Sequence, residues 1–379
     1  MAFEKIPGVT VHHAFGVGGT DPRTDEWTPA LEAARKSDVV LFVSGVDNSQ
    51  EAESKDRNHI GWSPAQIDLA QHLAALGKPM AVLQMGGGSL DSSWIKDDDR
   101  IGGLIWGGYP GQSGGEALVD IMLGKVAPAG YVLLVLHSFE SVLISCPSRL
   151  VTTQYPAAYA GQVSMLDYSM RPSRGSPGRT YMWYAGTPPY EFGQGLHYTS
   201  FSADVELKAK TSTFNTTELA SLCTEEKWLD LCPFVSLKVD ITNTGKTTTS
   251  DYSALAFISG EYGPFPRPKK MLVAYSRLHD VAPGETQSST LPLTLSSLSR
   301  VDDKGRRILY PGKFRIAIDT APELADVEFE LVGPEVILDE YPVAPSSPHK
   351  GGDKWTGGPP SFDPPSQQHG GQQQQVMEL

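Results

Sequence analysis

Residues 37–45 read SDVVLFVSG, an apolar run closed by a glycine and without polar alternation. A strand reads this way when both of its faces are covered, because neither side meets water. Downstream, Ser63-Pro64 marks a helix start with proline at the first helical position. The apolar set Ile67, Leu69, Ala70, Leu73 and Leu76 follows, and Gly77 ends the helix. Lys78 to Gly87 (KPMAVLQMGG) predicts a second strand, Ile101 to Gly108 (IGGLIWGG) a third, and Gly115 to Leu123 a further helix before Gly124. Buried strands alternating with helices define an open parallel sheet covered on both faces, an α/β sandwich domain.

In such sheets ligands collect beyond the carboxyl ends of the strands. The corresponding loops are Val46 to Gly61, Gly86 to Ser93 and Gly107 to Gly115, the polar and glycine-rich parts of the domain. The first holds VDNSQEAESKDR (Val46 to Arg57), with four acidic residues. Crowded carboxylates can hold one of their number protonated near neutrality, as a general acid requires, and Arg57 beside Asp56 can neutralise a neighbour. Composition alone favours a solvated acidic loop with a surface Asp-Arg pair.

From about Ser202 the period changes to two. Val235 to Asn243 (VSLKVDITN) alternates apolar and polar, and Tyr252 to Ser259, Thr290 to Leu295 and Lys313 to Asp319 repeat the pattern between turns such as Pro283-Gly284 and Pro311-Gly312. This is an antiparallel β-sandwich of immunoglobulin-like strand spacing. Beyond Pro342 the chain is rich in proline, glycine and glutamine and too poor in apolar residues to fold, so a disordered tail is expected over 343–379.

The 379 residues carry 44 acidic and 31 basic side chains, a formal charge of -13. That balance disfavours nucleic acid and anionic lipid and suits a neutral ligand such as a sugar. Met1 to Thr20 has no apolar run of signal-peptide length. Cys223 and Cys232 are spaced for a small-loop disulfide, which would imply an oxidising compartment, or equally for two buried thiols. The sequon Asn215-Thr216-Thr217 leans towards secretion. His12, His13, His59 and His197 have no metal-ligand spacing, so neither a metal nor a cofactor is expected. Gly86-Gly87-Gly88 and Gly107-Gly108 lack the remaining features of a dinucleotide or phosphate loop and read as close backbone packing. Trp106 and Tyr109 are candidates to stack on a pyranose, although a core or crevice-wall aromatic is the more common outcome, and Asp91 is a candidate to cap the helix Ser92 to Lys96.

The blocks GVDNSQEAESKDR (Gly45 to Arg57), QMGGGSLDSSW (Gln84 to Trp94), LIWGGYPGQSGGEAL (Leu104 to Leu118), TTQYPAAY (Thr152 to Tyr159), PGRTYMWY (Pro177 to Tyr184) and YEFGQGLHYTSF (Tyr190 to Phe201) resemble, in order and spacing, family 3 glycoside hydrolases of the fungal β-xylosidase type. YSRLHDVAPGET (Tyr275 to Thr286) resembles that family's fibronectin type III-like domain. The resemblance covers residues 9 to 342. It implies a family 3 C-terminal α/β domain over 1–200 and a fibronectin type III-like domain over 201–342. It further implies an extracellular exo-acting enzyme on xylo-oligosaccharides, working by a retaining mechanism.

The family's Glu-x-x-Asp-Arg pattern falls on Glu53, Asp56 and Arg57. This makes Glu53 the acid/base candidate with Glu51 as runner-up, and Asp56, Arg57, Trp106 and Tyr109 substrate-binding candidates. Retention needs a second carboxylate about 5 Å away. In the family a preceding barrel domain supplies it, and no motif in this chain matches that nucleophile. The chain alone is therefore expected to show at most trace activity. The alternatives are a catalytically inactive sugar-binding or scaffold module, or a β-glucosidase or arabinofuranosidase of the same family.

Residues Tyr131 to Ser148 (YVLLVLHSFESVLISCPS) interrupt the resemblance. The segment holds the odd cysteine Cys146 and is shorter than the roughly 20 residues of a membrane span. Joining Gly130 to Arg149 restores the family's APAGRLVTTQYP. A retained intron, translated in frame, fits: Gly130-Tyr131-Val132 can encode a GTATGT donor, and Ser148 can supply an AG acceptor that restores glycine before Arg149.

Overall fold

The computed structural model describes residues 2–17, 27–127 and 149–340, together with the backbone of Leu134–Val135. The rest of the 131–148 interruption, with Cys146, and the tail beyond Glu340 lie outside the described residues.

Strands β1 (Val40–Gly45), β2 (Met80–Met85) and β3 (Gly103–Gly108) lie side by side in that order. They are parallel, with Val40 opposite Met80 and Ala81 opposite Gly103. The two-residue β4 (Leu134–Val135) pairs with β3 in the antiparallel sense, so the expected all-parallel sheet is mixed at this edge. Each strand begins two or three residues later than the apolar runs suggest, because Ser37 closes helix α1 (Trp27–Lys36) by donating to Ala33 O, and Lys78 and Pro79 belong to the turn before β2.

Alternate residues of the strands serve two cores. Val40, Phe42, Val82, Leu104 and Trp106 pack with Trp27 of α1 and with Leu69, Ala70 and Leu73 of helix α2 (Pro64–Ala74). Leu83 and Ile105 pack with Leu118 of a later helix (Gly114–Met122). The first core is much the larger, and the second leaves Val43 of β1 exposed. Helix α2 starts where the sequence predicts: Ser63 Oγ accepts from Gln66 N at 3.2 Å while Gln66 Oε1 accepts from Ser63 N at 3.0 Å, a reciprocal cap behind Pro64. The Gln66 amide also donates to Gly45 O at 2.9 Å, which ties the cap to the end of β1.

The second part is a β-sandwich. One sheet orders Thr286–Thr294, Pro233–Asn243 and Phe201–Leu207. The facing sheet orders Thr213–Asn215, Ala325–Val332, Gly312–Ile318, Ser250–Tyr262 and Met271–Val281. The period-two pattern is realised in Leu237, Val239 and Ile241 on one side and in Phe314, Ile316 and Ile318 on the other, all buried in one core. Cys223 and Cys232 form a disulfide with Cα atoms 5.7 Å apart, which decides the alternative that spacing left open. It joins the end of a short helix (Thr216–Ser221) to the start of the strand at Pro233. A loop of this size contributes about 2–3 kcal/mol by restricting the unfolded chain.

The two parts meet on a buried ion pair. Arg149 Nη2 donates to Asp319 Oδ2 at 2.6 Å, with the two side chains 9% and 3% exposed. Arg149 Nε donates to Ser253 O at 3.0 Å and Nη1 to Gly193 O at 3.3 Å. Tyr252 Oη also donates to Asp319 Oδ2, and Leu255 N donates to Oδ1 at 3.2 Å. Burial alone would lower the pKa of the Arg149 guanidinium, but the Asp319 carboxylate outweighs it and the net shift is upward. Nearby, Lys270 Nζ and Thr320 Oγ1 donate to Glu191 Oε2 at 2.6 and 2.7 Å.

Candidate functional site

The carboxyl ends of β1, β2 and β3 face an open depression of about 760 Å³ lined by Val46, Asp47, Asn48, Ser49, Met85 and Tyr109. The strands end side by side there: Gly45 lies opposite Met85, and a register shift that skips Gly107 sets Met85 opposite Gly108. Gly45 has φ +149°, and a Cβ on it would stand 1.9 Å from Met85 O, so only glycine lets β1 hug β2 as it turns away.

The acidic loop is ordered by its own short polar side chains. Asp47 Oδ1 accepts from Ser49 N at 2.8 Å and from Ser49 Oγ at 2.5 Å. Those bonds, the hydroxyl first, hold the Asp47 carboxyl below its ordinary pKa. Gln50 N and Glu51 N both donate to Asp47 O at 3.0 Å. Ala52 and Lys55 then exchange backbone bonds, Ala52 N to Lys55 O at 3.1 Å and Lys55 N to Ala52 O at 2.9 Å. This puts Glu53 and Ser54 at the tip of a four-residue turn, with Ser54 at φ 62°. Glu53 is exposed there.

Arg57 reaches back under the loop. Its Nε donates to Glu51 Oε2 at 2.5 Å and its Nη2 to Ser89 O at 3.1 Å. The guanidinium side chain is 10% exposed and Glu51 33%. The partner of Arg57 is thus Glu51, and not the adjacent Asp56, which is exposed. Nη1 of Arg57 is buried with no hydrogen-bond partner among the described residues. Asp47 and Glu51 each have their own donors, while Glu53 is exposed on the turn. Among the described residues no group of His, Cys, Asp and Glu could hold a metal ion.

The glycine run beside the loop has a steric role. A Cβ on Gly88 would lie 2.6 Å from Arg57 Nη2 and 3.1 Å from Glu51 Oε2, and one on Gly87 would lie 2.7 Å from the Tyr109 ring. Gly88→Ala is expected to keep the fold but lower its stability by about 1–3 kcal/mol, since it overpacks a salt bridge that Ser89 holds in place. Chemical denaturation measures this against Gly161→Ala, where nothing lies within 4 Å of the added Cβ.

Of the two aromatic candidates, Tyr109 is 60% exposed at the mouth of the depression. Trp106 corrects the stacking expectation: it is 5% exposed, packs in the larger core, and donates from Nε1 to Gly86 O at 3.0 Å. Its position in β3 points it to the face covered by α1 and α2, so it fixes the loop and offers no ring to a sugar. The short helix runs Ser93–Lys96 with Ser92 at its N-cap position, so Asp91 stands one residue before the cap: Oδ1 accepts from Ser93 N at 3.0 Å, and Oδ2 from Ala157 N at 2.7 Å. Asn48 and Ser49 line the depression beside Asp47, and neither is a carboxylate. The turn-forming Asp-x-Ser spacing was the available signal.

This geometry can be set beside known proteins. Residues 11–198 match the glycosyl hydrolase family 3 C-terminal domain, and residues 253–321 the fibronectin type III-like domain. The chain belongs to glycoside hydrolase family 3. It is 44% identical over 338 residues to a probable exo-1,4-beta-xylosidase of Aspergillus fumigatus, with 88% of this chain and 40% of that protein aligned. It is 43% identical over 337 residues to the exo-1,4-beta-xylosidase of Emericella nidulans, with the same shares. A solved family 3 exo-beta-xylosidase in complex with a xylobiose aziridine probe superposes with a TM-score of 0.80 at 41% identity, over 91% of this chain and 42% of that one. A beta-glucosidase of Kluyveromyces marxianus in complex with glucose, at 18% identity and a TM-score of 0.60, shares the fold. The chain therefore spans about two fifths of the length of these xylosidase relatives.

Proposed function

We propose that this chain carries the acid/base half of an exo-acting β-1,4-xylosidase, with Glu53 as proton donor and an amino-terminal barrel region supplying the nucleophile. The observation that carries the reading is the loop after β1. Its hairpin turn presents an exposed Glu53 at its tip, in the same loop whose first residues, Asp47 to Ser49, line an open depression at the carboxyl end of the sheet.

Arg57 supports a neutral polyhydroxylated ligand. A buried guanidinium N–H without an acceptor costs about 1–3 kcal/mol, and a sugar hydroxyl can supply the acceptor without introducing another charge. Glu51 then serves to orient Arg57, and Tyr109 offers an exposed ring at the rim. The xylose preference rests on the xylosidase relatives, one of them solved with a xylobiose-based probe. The disulfide supports an extracellular, oxidising location.

The test compares the chain alone with the chain joined to the amino-terminal region of the Aspergillus fumigatus relative, on an aryl β-xyloside. Trace turnover by the first and full turnover by the second is expected. A folded fusion that binds xylobiose without turnover would instead establish a sugar-binding module.

A further inference from the structure

The β-sandwich holds a chemistry that the glycosidase reading does not use. The chain has four asparagines, Asn48, Asn58, Asn215 and Asn243, and only Asn215 stands two residues before a serine or threonine in a sequon. In the fold, Asn215 ends its strand and caps the helix Thr216–Ser221. Its Oδ1 accepts from Thr217 N at 2.9 Å and from Glu218 N at 3.2 Å. The cap uses the oxygen of the carboxamide and leaves the nitrogen free of that duty.

The three residues of the motif are divided between core and solvent. Thr216 is fully buried, with its hydroxyl donating to Pro334 O at 2.6 Å, while Asn215 and Thr217 are both exposed. Gly333 passes beside the carboxamide, and a Cβ there would stand 3.3 Å from Asn215 Nδ2. Glycine at that position leaves room where a side chain would crowd the nitrogen. Eight residues beyond Asn215 stands Cys223, bonded to Cys232. Such a bond persists in the oxidising compartments through which secreted proteins pass, and these are the compartments in which sequons are glycosylated.

We propose that Asn215 is an N-glycosylation site whose glycan emerges beside the disulfide-closed loop; this rests on the secretion reading. The donor is an oligosaccharide on a polyprenyl pyrophosphate. Asn215 Nδ2 bonds to C1 of the first sugar and gives up one proton to solvent. The bond from C1 to the pyrophosphate oxygen breaks, and the pyrophosphate leaves with the electron pair. No atom changes oxidation state overall. Because only Oδ1 serves the cap, the glycosylated asparagine keeps both backbone hydrogen bonds.

The experiment secretes the full chain from a yeast behind a fused leader and maps the peptide containing residue 215 by mass spectrometry, with and without an N-glycan amidase. The Cys223–Cys232 peptide is mapped in the same sample. The expected result is near-complete occupancy, with aspartate at 215 after amidase treatment. Thr217→Ala should lose the glycan while keeping the Asn215 cap and an unchanged thermal midpoint in the deglycosylated form. Unmodified Asn215 in secreted protein that carries the disulfide overturns the proposal alone. Unmodified Asn215 with free thiols at 223 and 232 overturns it together with the secretion reading.

Discussion

Glu53→Gln, in the chain completed by an amino-terminal region, is expected to lower kcat on xylosides with poor leaving groups by about 100 to 10,000-fold, the range general acid catalysis supplies. Protonating the glycosidic oxygen matters most when the departing alkoxide is basic. The loss should therefore shrink on activated aryl xylosides, for which bond cleavage needs no proton. Glu51→Gln is expected to behave differently. Glu51 holds Arg57 through a 2.5 Å bond, so its loss releases a binding group and should raise KM by a similar factor for every leaving group. Steady-state kinetics of both variants over a leaving-group series separate the roles. Leaving-group dependence in Glu51→Gln and none in Glu53→Gln would reverse the assignment.

That separation also marks how far the sequence could be read. The alternation of buried strand and helix from Ser37 to Gly124 gave the α/β part, and period-two stretches such as Val235 to Asn243 gave the sandwich. In both, burial writes directly into hydrophobic periodicity. The loop was legible as a location and not as a structure. Whether Arg57 meets Asp56 or Glu51 depends on a turn closed by backbone bonds between Ala52 and Lys55 and on the carbonyl of Ser89, and neither leaves a periodic trace. Trp106 failed as a sugar platform for a related reason. At a strand's end, which way an aromatic points is set by a single residue of register, and Gly86 O claims its indole N–H. The antiparallel β4 was unreadable because two residues are too few to carry a pattern.

Arg149→Met is expected to destabilise the folded chain by about 3–5 kcal/mol, the cost of leaving one partner of a buried ion pair uncompensated. Asp319 would keep the Tyr252 hydroxyl and the Leu255 amide but lose its only cationic partner among the described residues. The carbonyls of Ser253 and Gly193 would each lose the bond from Arg149 as well. The expected fall in thermal midpoint is on the order of 10 °C. The double variant Arg149→Met, Asp319→Leu should recover much of that loss, since removing both charges avoids the stranded carboxylate. The joint also supports the site. Gln154, five residues after Arg149, accepts from Ser89 Oγ at 3.0 Å, and Ser89 O holds Arg57. Loosening the joint is therefore expected to raise amide exchange at Gln154 and Ser89 before it does so in β2, which lies inside the sheet between β1 and β3. Unchanged exchange at those two residues, or a midpoint within about 2 °C of the parent, would mean that the ion pair neither stabilises the joint nor couples it to the acidic loop.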